Sequence, residues 1–285
     1  MSANLYLDLK KSAKADLRGD HTTRILGELV SESLQLLADS KTAQLESEVR
    51  GKTYFAFSKL NKLSRPVRSD FWDLKLATET IGRFVNGAYA NIPANELGKI
   101  LYTMAMSFCC ATDLRKQGDK KTPATFFECF VGNIFARELG VNPRTQVEVL
   151  NLDMKATLPT DFLFDLGAQN CRIHLPVKLS TRERVVQVWA HQRVLDGVYG
   201  VGRFRGILVV GTETKVGTES LKVTEICLPD QWTVYQMFIS QLRRVYYLDT
   251  PVRYSTLPRF FPYIQVKALS AFFAEKRKLI SPAAE

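Results

Sequence analysis

The sequence predicts an α/β protein: a mixed central sheet flanked by helices, preceded by a mostly helical N-terminal region. Three observations carry that expectation. From residue 125 the patterning runs helix, three strands, helix, strand, an order that places helices against a mixed sheet. Residues 205–210, Arg-Gly-Ile-Leu-Val-Val, form a continuous apolar run after the arginine, as inner parallel strands do. Before residue 113, apolar side chains recur mainly at helical intervals.

Taken in order, residues 23–48 carry Ile25, Leu26, Leu29, Leu34, Leu36 and Leu37 at helical spacing. Residues 53–63, with Phe55 and Phe57, read as a strand or a turn. Residues 71–89 and 96–111 read as two further helices separated by Asn91-Ile92-Pro93, with Asn95 as the cap of the second. Residues 113–123 hold Gly118, Pro123 and many charges and read as an exposed loop. The basic residues Arg115, Lys116, Lys120 and Lys121 there either grip phosphates or are simply solvated. A helix follows over 125–139, ended by Gly140, and then a strand over 146–152. Residues 161–166 and 171–178 are two strands joined by a turn at 167–170. A helix over 181–195, strands over 205–210 and 223–227, and a helix capped by Asp230 and running to 246 complete the chain. This divides the sequence into a helical region, 1–112, and an α/β core with a helical extension, 113–285.

The 285 residues suffice for one large domain or two modest ones. A net charge of +10 points to a polyanionic partner, most simply nucleic acid. No apolar run approaches the roughly 18 residues needed to span a bilayer. The first residues lack the charged and apolar stretches of a secretory leader, so a cytoplasmic protein is expected. Five cysteines without a C-x-x-C pair read as reduced and buried. With His21, His174 and His191 as the only histidines, there is no H-E-x-x-H zinc site. There is no phosphate-binding G-x-x-x-x-G-K-[ST] loop, and no G-x-S-x-G elbow. The glycines at 200–206 precede a strand rather than follow one, so they read as a turn and not a dinucleotide fingerprint.

The two strands around the turn at 167–170 hold the chemistry. Side chains alternate across a strand, so Phe162, Phe164 and Leu166 share one face, and Asp161, Leu163 and Asp165 the other. On the second strand, Cys171, Ile173, Leu175 and Val177 oppose Arg172, His174, Pro176 and Lys178. A regular turn places Asp161 opposite Pro176 and diagonal to Lys178, about 7–8 Å between backbones and within a lysine's reach. Asp165 then stands opposite Arg172. An acid and a lysine at one end of an apolar hairpin suit phosphodiester hydrolysis. A carboxylate holds Mg²⁺ by hard oxygen ligation, the ion activates water, and the lysine orients that water and offsets negative charge. The ordinary alternative is a cross-strand salt bridge at a sheet edge.

The stretch Pro159-Thr160-Asp161 followed by Pro176-Val177-Lys178 resembles the core motif of the PD-(D/E)xK nuclease superfamily, which includes many type II restriction endonucleases. The resemblance covers residues 125–211. It implies a restriction endonuclease-like core in which Asp161 is a metal ligand and Lys178 the catalytic cation. Pro176 departs from the pattern, because an acid is expected two residues before the lysine. Members are known in which that carboxylate has moved to another element. Glu128, in the apolar helix Thr-Phe-Phe-Glu-Cys-Phe, is the leading substitute, since the superfamily often places a metal-site glutamate there. Its alternative is a surface glutamate of an amphipathic helix. Glu148 and Asp165 are weaker candidates. Glu183 is another, though Ser180 and Glu183 also form a capping box. Some relatives carry the glutamate farther along this helix, where Gln192 stands. Gln187 and His191, at steps of four from Glu183, lie on one helical stripe; they resemble a Gln-x-x-x-Tyr motif of some relatives. Arg182, Arg184 and Arg193 are candidate phosphate contacts. The resemblance implies an Mg²⁺-dependent endonuclease acting on double-stranded DNA, a sequence-specific type II restriction enzyme, working as a homodimer. The competing expectations are a DNA-binding protein that has lost catalysis on the same scaffold, and an unrelated basic α/β protein whose Asp161–Lys178 pair is structural.

Overall fold

The computed structural model describes residues 3–88, 92–151, 154–167, 171–181, 185–217, 221–260 and 264–281. Its elements in order are α1 (Ala3–Ala15), α2 (Asp20–Ala38), β1 (Lys41–Ser47), β2 (Tyr54–Lys59), β3 (Lys62–Leu63) and β4 (Val67–Arg68). Next come α3 (Leu74–Val85), α4 (Ala94–Arg115), α5 (Lys121–Leu139), β5 (Arg144–Asn151) and β6 (Met154–Phe164). They are followed by β7 (Arg172–Leu175), β8 (Val177–Lys178), α6 (Val186–Tyr199), β9 (Phe204–Val210), β10 (Thr214–Val216) and β11 (Lys222–Glu225). The chain closes with α7 (Pro229–Phe238), β12 (Leu242–Tyr247), α8 (Val252–Ser255), α9 (Leu257–Phe260), β13 (Val266–Ala268) and α10 (Ala271–Ile280). No helix among the described residues is long and apolar enough to cross a membrane.

The chain forms two compact units. One comprises Met1–Asn133 and Glu213–Ile226, the other Ile134–Thr212 and Cys227–Glu285. The first unit thus takes in part of α5 and the β10–β11 insertion as well as the helical region read from sequence.

In the first unit α4 is apolar on nearly all sides, and Leu101, Met104, Ala105, Phe108 and Cys109 are wholly buried. A helix of this kind sits at a centre rather than on a surface. Phe108 stacks on Phe126 with ring centroids 3.9 Å apart. The helix starts at Ala94 with Pro93 at the N-cap, so Asn95 lies inside it rather than capping it. It also runs into the segment read as a loop: Asp113 is helical and accepts from Arg65 Nε at 2.8 Å and Nη2 at 2.9 Å. The expected helix over 23–48 stops at Ala38. Ser40 folds back, its hydroxyl and amide donating to Leu36 and Leu37 carbonyls, and Lys41–Ser47 leaves as a strand. β1 pairs antiparallel with β2, with Leu45 opposite Tyr54, inside the sheet β10-β11-β1-β2-β3.

The second unit is built on the mixed sheet β13-β12-β9-β7-β6-β5, with β8 also on β9. β9 is the inner parallel strand that the apolar run predicts: Ile207, Leu208, Val209 and Val210 are fully buried between parallel partners. The helix expected to run to 246 ends at Phe238, and Asp230 lies in its first turn rather than capping it. Leu242–Tyr247 is instead β12, parallel to β9. The buried Gln236 amide forces the exit: Oε1 accepts from Leu242 N at 3.0 Å and Nε2 donates to Leu242 O at 2.8 Å. Trp189 of α6 donates its indole N–H to the same Oε1 at 3.0 Å and meets Trp232 of α7 edge-on. Trp232, Tyr246 and Tyr247 are core residues, whereas Phe238 at the end of α7 is exposed. α6 spans Val186–Tyr199 with Val185 at its N-cap, and Glu183 of the expected capping box lies outside the described residues.

Candidate active site

The antiparallel pairing of β6 and β7 sets Phe162 opposite Leu175, Leu163 opposite His174 and Phe164 opposite Ile173. This is the register predicted from a regular turn. One step further along, Asp161 meets Pro176, which has no N–H to offer a ladder. Pro176 separates β7 from β8, and its carbonyl accepts from Val209 N at 3.0 Å. The next amide, Val177 N, donates to Asp161 Oδ2 at 2.8 Å instead of to a strand carbonyl. Lys178 Nζ reaches the same oxygen at 2.7 Å. Asp161 Oδ1 takes no hydrogen bond among the described residues. The proline thus releases β8 from β6, and the carboxylate bridges the gap.

Pro159, Thr160, Asp161, Pro176 and Lys178 border a cleft of about 260 Å³, shared with His174 from β7 and with Gln187, Val188 and His191 from α6. Gln187 and His191 are one helical turn apart, which brings both to the same opening. The two imidazoles lie with ring centroids 6.4 Å apart. Burial pushes His174 down to about 4, opposed by its bond to Gln192, so the ring is neutral near pH 7. Burial also lowers His191, with the Asp161 carboxylate opposing and Lys178 assisting. The Thr160 hydroxyl is buried without a partner among the described residues.

The other acids named from sequence are placed elsewhere. Asp165 accepts from Arg172 Nε at 3.0 Å, an exposed cross-strand pair away from the cleft lining. Glu148 lies on β5, and its backbone carbonyl accepts from the Tyr199 hydroxyl. Glu128 is half-buried on α5 in the first unit, whereas Asp161 and Lys178 belong to the second. Arg182, Glu183 and Arg184 lie outside the described residues. Arg193 is exposed on α6. Among the described residues no group of three or more His, Cys, Asp or Glu side chains gathers as a metal cage. None of the five cysteines is in a disulfide, and four of them are buried, with Cys171 partly exposed.

The sequence reading did not single out His174 and Thr160 as parts of this cleft, nor Gln192 as the partner of His174. His174 had a signal, since strand alternation already put it on the face of Lys178. Gln192 had none, because its link to His174 depends on how α6 lies on the sheet.

No family model matches the sequence, and no curated protein matches it. Among solved structures, the Type IIP restriction endonuclease Kpn2I is similar at 25% sequence identity and a TM-score of 0.75, over 91% of this chain and 93% of that one. The restriction endonuclease PspGI, solved as a complex with substrate DNA, is 13% identical over 72% of this chain and 80% of that one. The TM-score of that likeness is 0.41. The mixed sheet, its flanking helices and this near full-length likeness give the chain a type II restriction endonuclease-like fold.

Proposed function

We propose that this protein is an Mg²⁺-dependent endonuclease that hydrolyses phosphodiester bonds of double-stranded DNA, and that it is a sequence-specific type II restriction enzyme. The observation that carries the reading is the 2.7 Å contact between Lys178 Nζ and Asp161 Oδ2 at the mouth of a cleft, on a fold like that of Kpn2I. A surplus of +10 charges suits a polyanionic substrate and implies binding that weakens steeply with salt.

Magnesium fits the donor chemistry present. It is held by one or two carboxylates together with waters and phosphate oxygens, and Asp161 keeps Oδ1 uncommitted among the described residues. When bound, the ion polarises the phosphate and lowers the pKa of its water. Asp161 Oδ2 meanwhile fixes the ammonium of Lys178, whose remaining N–H bonds are available to orient a water or to offset charge on a phosphate oxygen. Glu128 is carried as the second acid on sequence grounds, with Glu183 behind it. Gln187, His191, Arg182 and Arg184 are carried as further site or DNA contacts. Cleaving both strands of a duplex needs two active sites, which a symmetric homodimer supplies.

Pro176 favours a second reading, a DNA-binding protein that keeps the scaffold without catalysis, because the cleft holds a single carboxylate among its described residues. Incubating the protein with diverse DNA and Mg²⁺, beside Asp161→Ala, Lys178→Ala and Glu128→Ala, separates the two. Cutting by the wild type that is lost in Asp161→Ala and Lys178→Ala supports the nuclease. Cutting that survives in both overturns the site. Salt-sensitive binding without cutting supports the inactive scaffold. Wild-type activity in Glu128→Ala removes Glu128 from the metal site.

A further inference from the structure

His174 is almost wholly buried at 1% exposure, yet its ring borders the cleft beside Asp161 and Lys178. Its Nδ1 lies 3.0 Å from Gln192 Oε1. The orientation of that amide is fixed by its other end. Gln192 Nε2 faces Asp196 Oδ1 at 3.0 Å and the Phe204 carbonyl at 2.8 Å, and both of those only accept. The nitrogen must point at them, so the oxygen must point at the imidazole. Ser240 holds the far oxygen of Asp196, which makes the relay continuous from α6 to the loop after α7. Room for it depends on Gly206, where a Cβ would lie 2.6 Å from Gln192 Oε1.

A carbonyl oxygen cannot donate, so the proton between His174 and Gln192 sits on Nδ1. In a neutral ring the lone pair is then on Nε2. Nε2 has no protein partner among the described residues. The Thr160 hydroxyl, buried and also without a partner among them, borders the same cleft. A lone pair there calls for a hydrogen-bond donor, which a phosphate diester lacks and a water supplies.

We infer that His174 Nε2 accepts a hydrogen bond from a water in the cleft and orients it beside Lys178, and that Gln192 and Asp196 are positioning residues that hold this tautomer. The inference rests on the nuclease reading and adds the group that aligns its nucleophile.

Two measurements test it. Long-range ¹⁵N–¹H correlation spectra of the wild-type protein at neutral pH report the His174 tautomer whether or not any DNA is cut. Single-turnover cleavage, set against DNA affinity, reports the role. The expected result is an Nδ1–H ring, with His174→Ala cutting about 100-fold slower at unchanged affinity, as misplacement of a reactant costs. Imidazole added to His174→Ala should restore part of the rate, which a merely structural role would not allow. Gln192→Leu, which leaves the cleft side chains in place, should slow cutting and abolish the fixed tautomer. An Nε2–H ring in a protein that cuts DNA overturns the inference and leaves the nuclease standing. Cutting by His174→Ala at the wild-type rate overturns it in the same way. A wild type that cuts no DNA overturns the nuclease reading, and the water-orienting role falls with it.

Discussion

Lys178 Nζ lies 2.7 Å from Asp161 Oδ2, although the two residues come from strands that do not pair with each other. β8 is paired to β9, and β6 to β5 and β7. The contact exists because Pro176 ends one ladder and Asp161 answers the first free amide beyond it. The carboxylate therefore has a structural bond, to Val177, and a chemical one, to Lys178.

These two bonds come apart in different variants. Asp161→Asn keeps an oxygen for Val177 N–H and should unfold near the wild-type midpoint. Asp161→Ala leaves that amide unanswered and should cost about 1 kcal/mol, at the low end for a partly exposed group. Both should lose Mg²⁺-dependent cleavage. Urea denaturation beside a cleavage assay checks this, and equal stability of the two variants would contradict the role given to the Val177 bond.

His174 makes stability depend on pH. Its folded value of about 4 lies below the ordinary 6.5, so between these values the unfolded chain binds a proton that the folded chain refuses. Stability is then full above pH 6.5, falls as pH drops towards 4, and gains no further penalty from this group below that. The full effect is on the order of 3 kcal/mol. His191 is shifted the same way and adds to the slope. Urea midpoints at pH 7.5 and pH 4.5 should differ less in His174→Gln than in the wild type.

Gly206 is a packing position rather than a flexible one. Its missing Cβ would meet Gln192 Oε1 and Leu242 Cδ2, each at 2.6 Å. Gly206→Ala should destabilise by about 1–3 kcal/mol, as overpacking does. It should also shift the ¹⁵N resonances of His174 by displacing Gln192. An unmoved His174 signal in a folded Gly206→Ala protein would argue against that link.

Gln236 ties α6, α7 and β12 together. Gln236→Leu, close in volume, leaves Trp189 Nε1 and both polar groups of Leu242 without this partner inside the core. The expected loss is about 2–4 kcal/mol, read as a lower denaturation midpoint. Amide exchange should also quicken at Leu242 more than in the centre of β9.

The sequence by itself determined the alternating hairpin around Asp161 and Lys178 and its register, because a period of two and a short turn leave few ways to pair. It also determined β9, whose unbroken apolar run has to be covered on both faces. Gly140 ended α5 as its position implied, with a positive φ of 74°. Tertiary structure decided where helical patterns stop. Residues 41–47 and 242–247 carry no strong local signal against helix, and they became strands because Tyr54 and the edge of β9 were there to receive them. It decided the rest of the cleft for the same reason. Gln187, His191 and Gln192 lie within two turns of one helix, yet the first two meet the opening and the third meets His174. That difference depends on how α6 lies on the sheet, a long-range packing outcome no local spacing encodes.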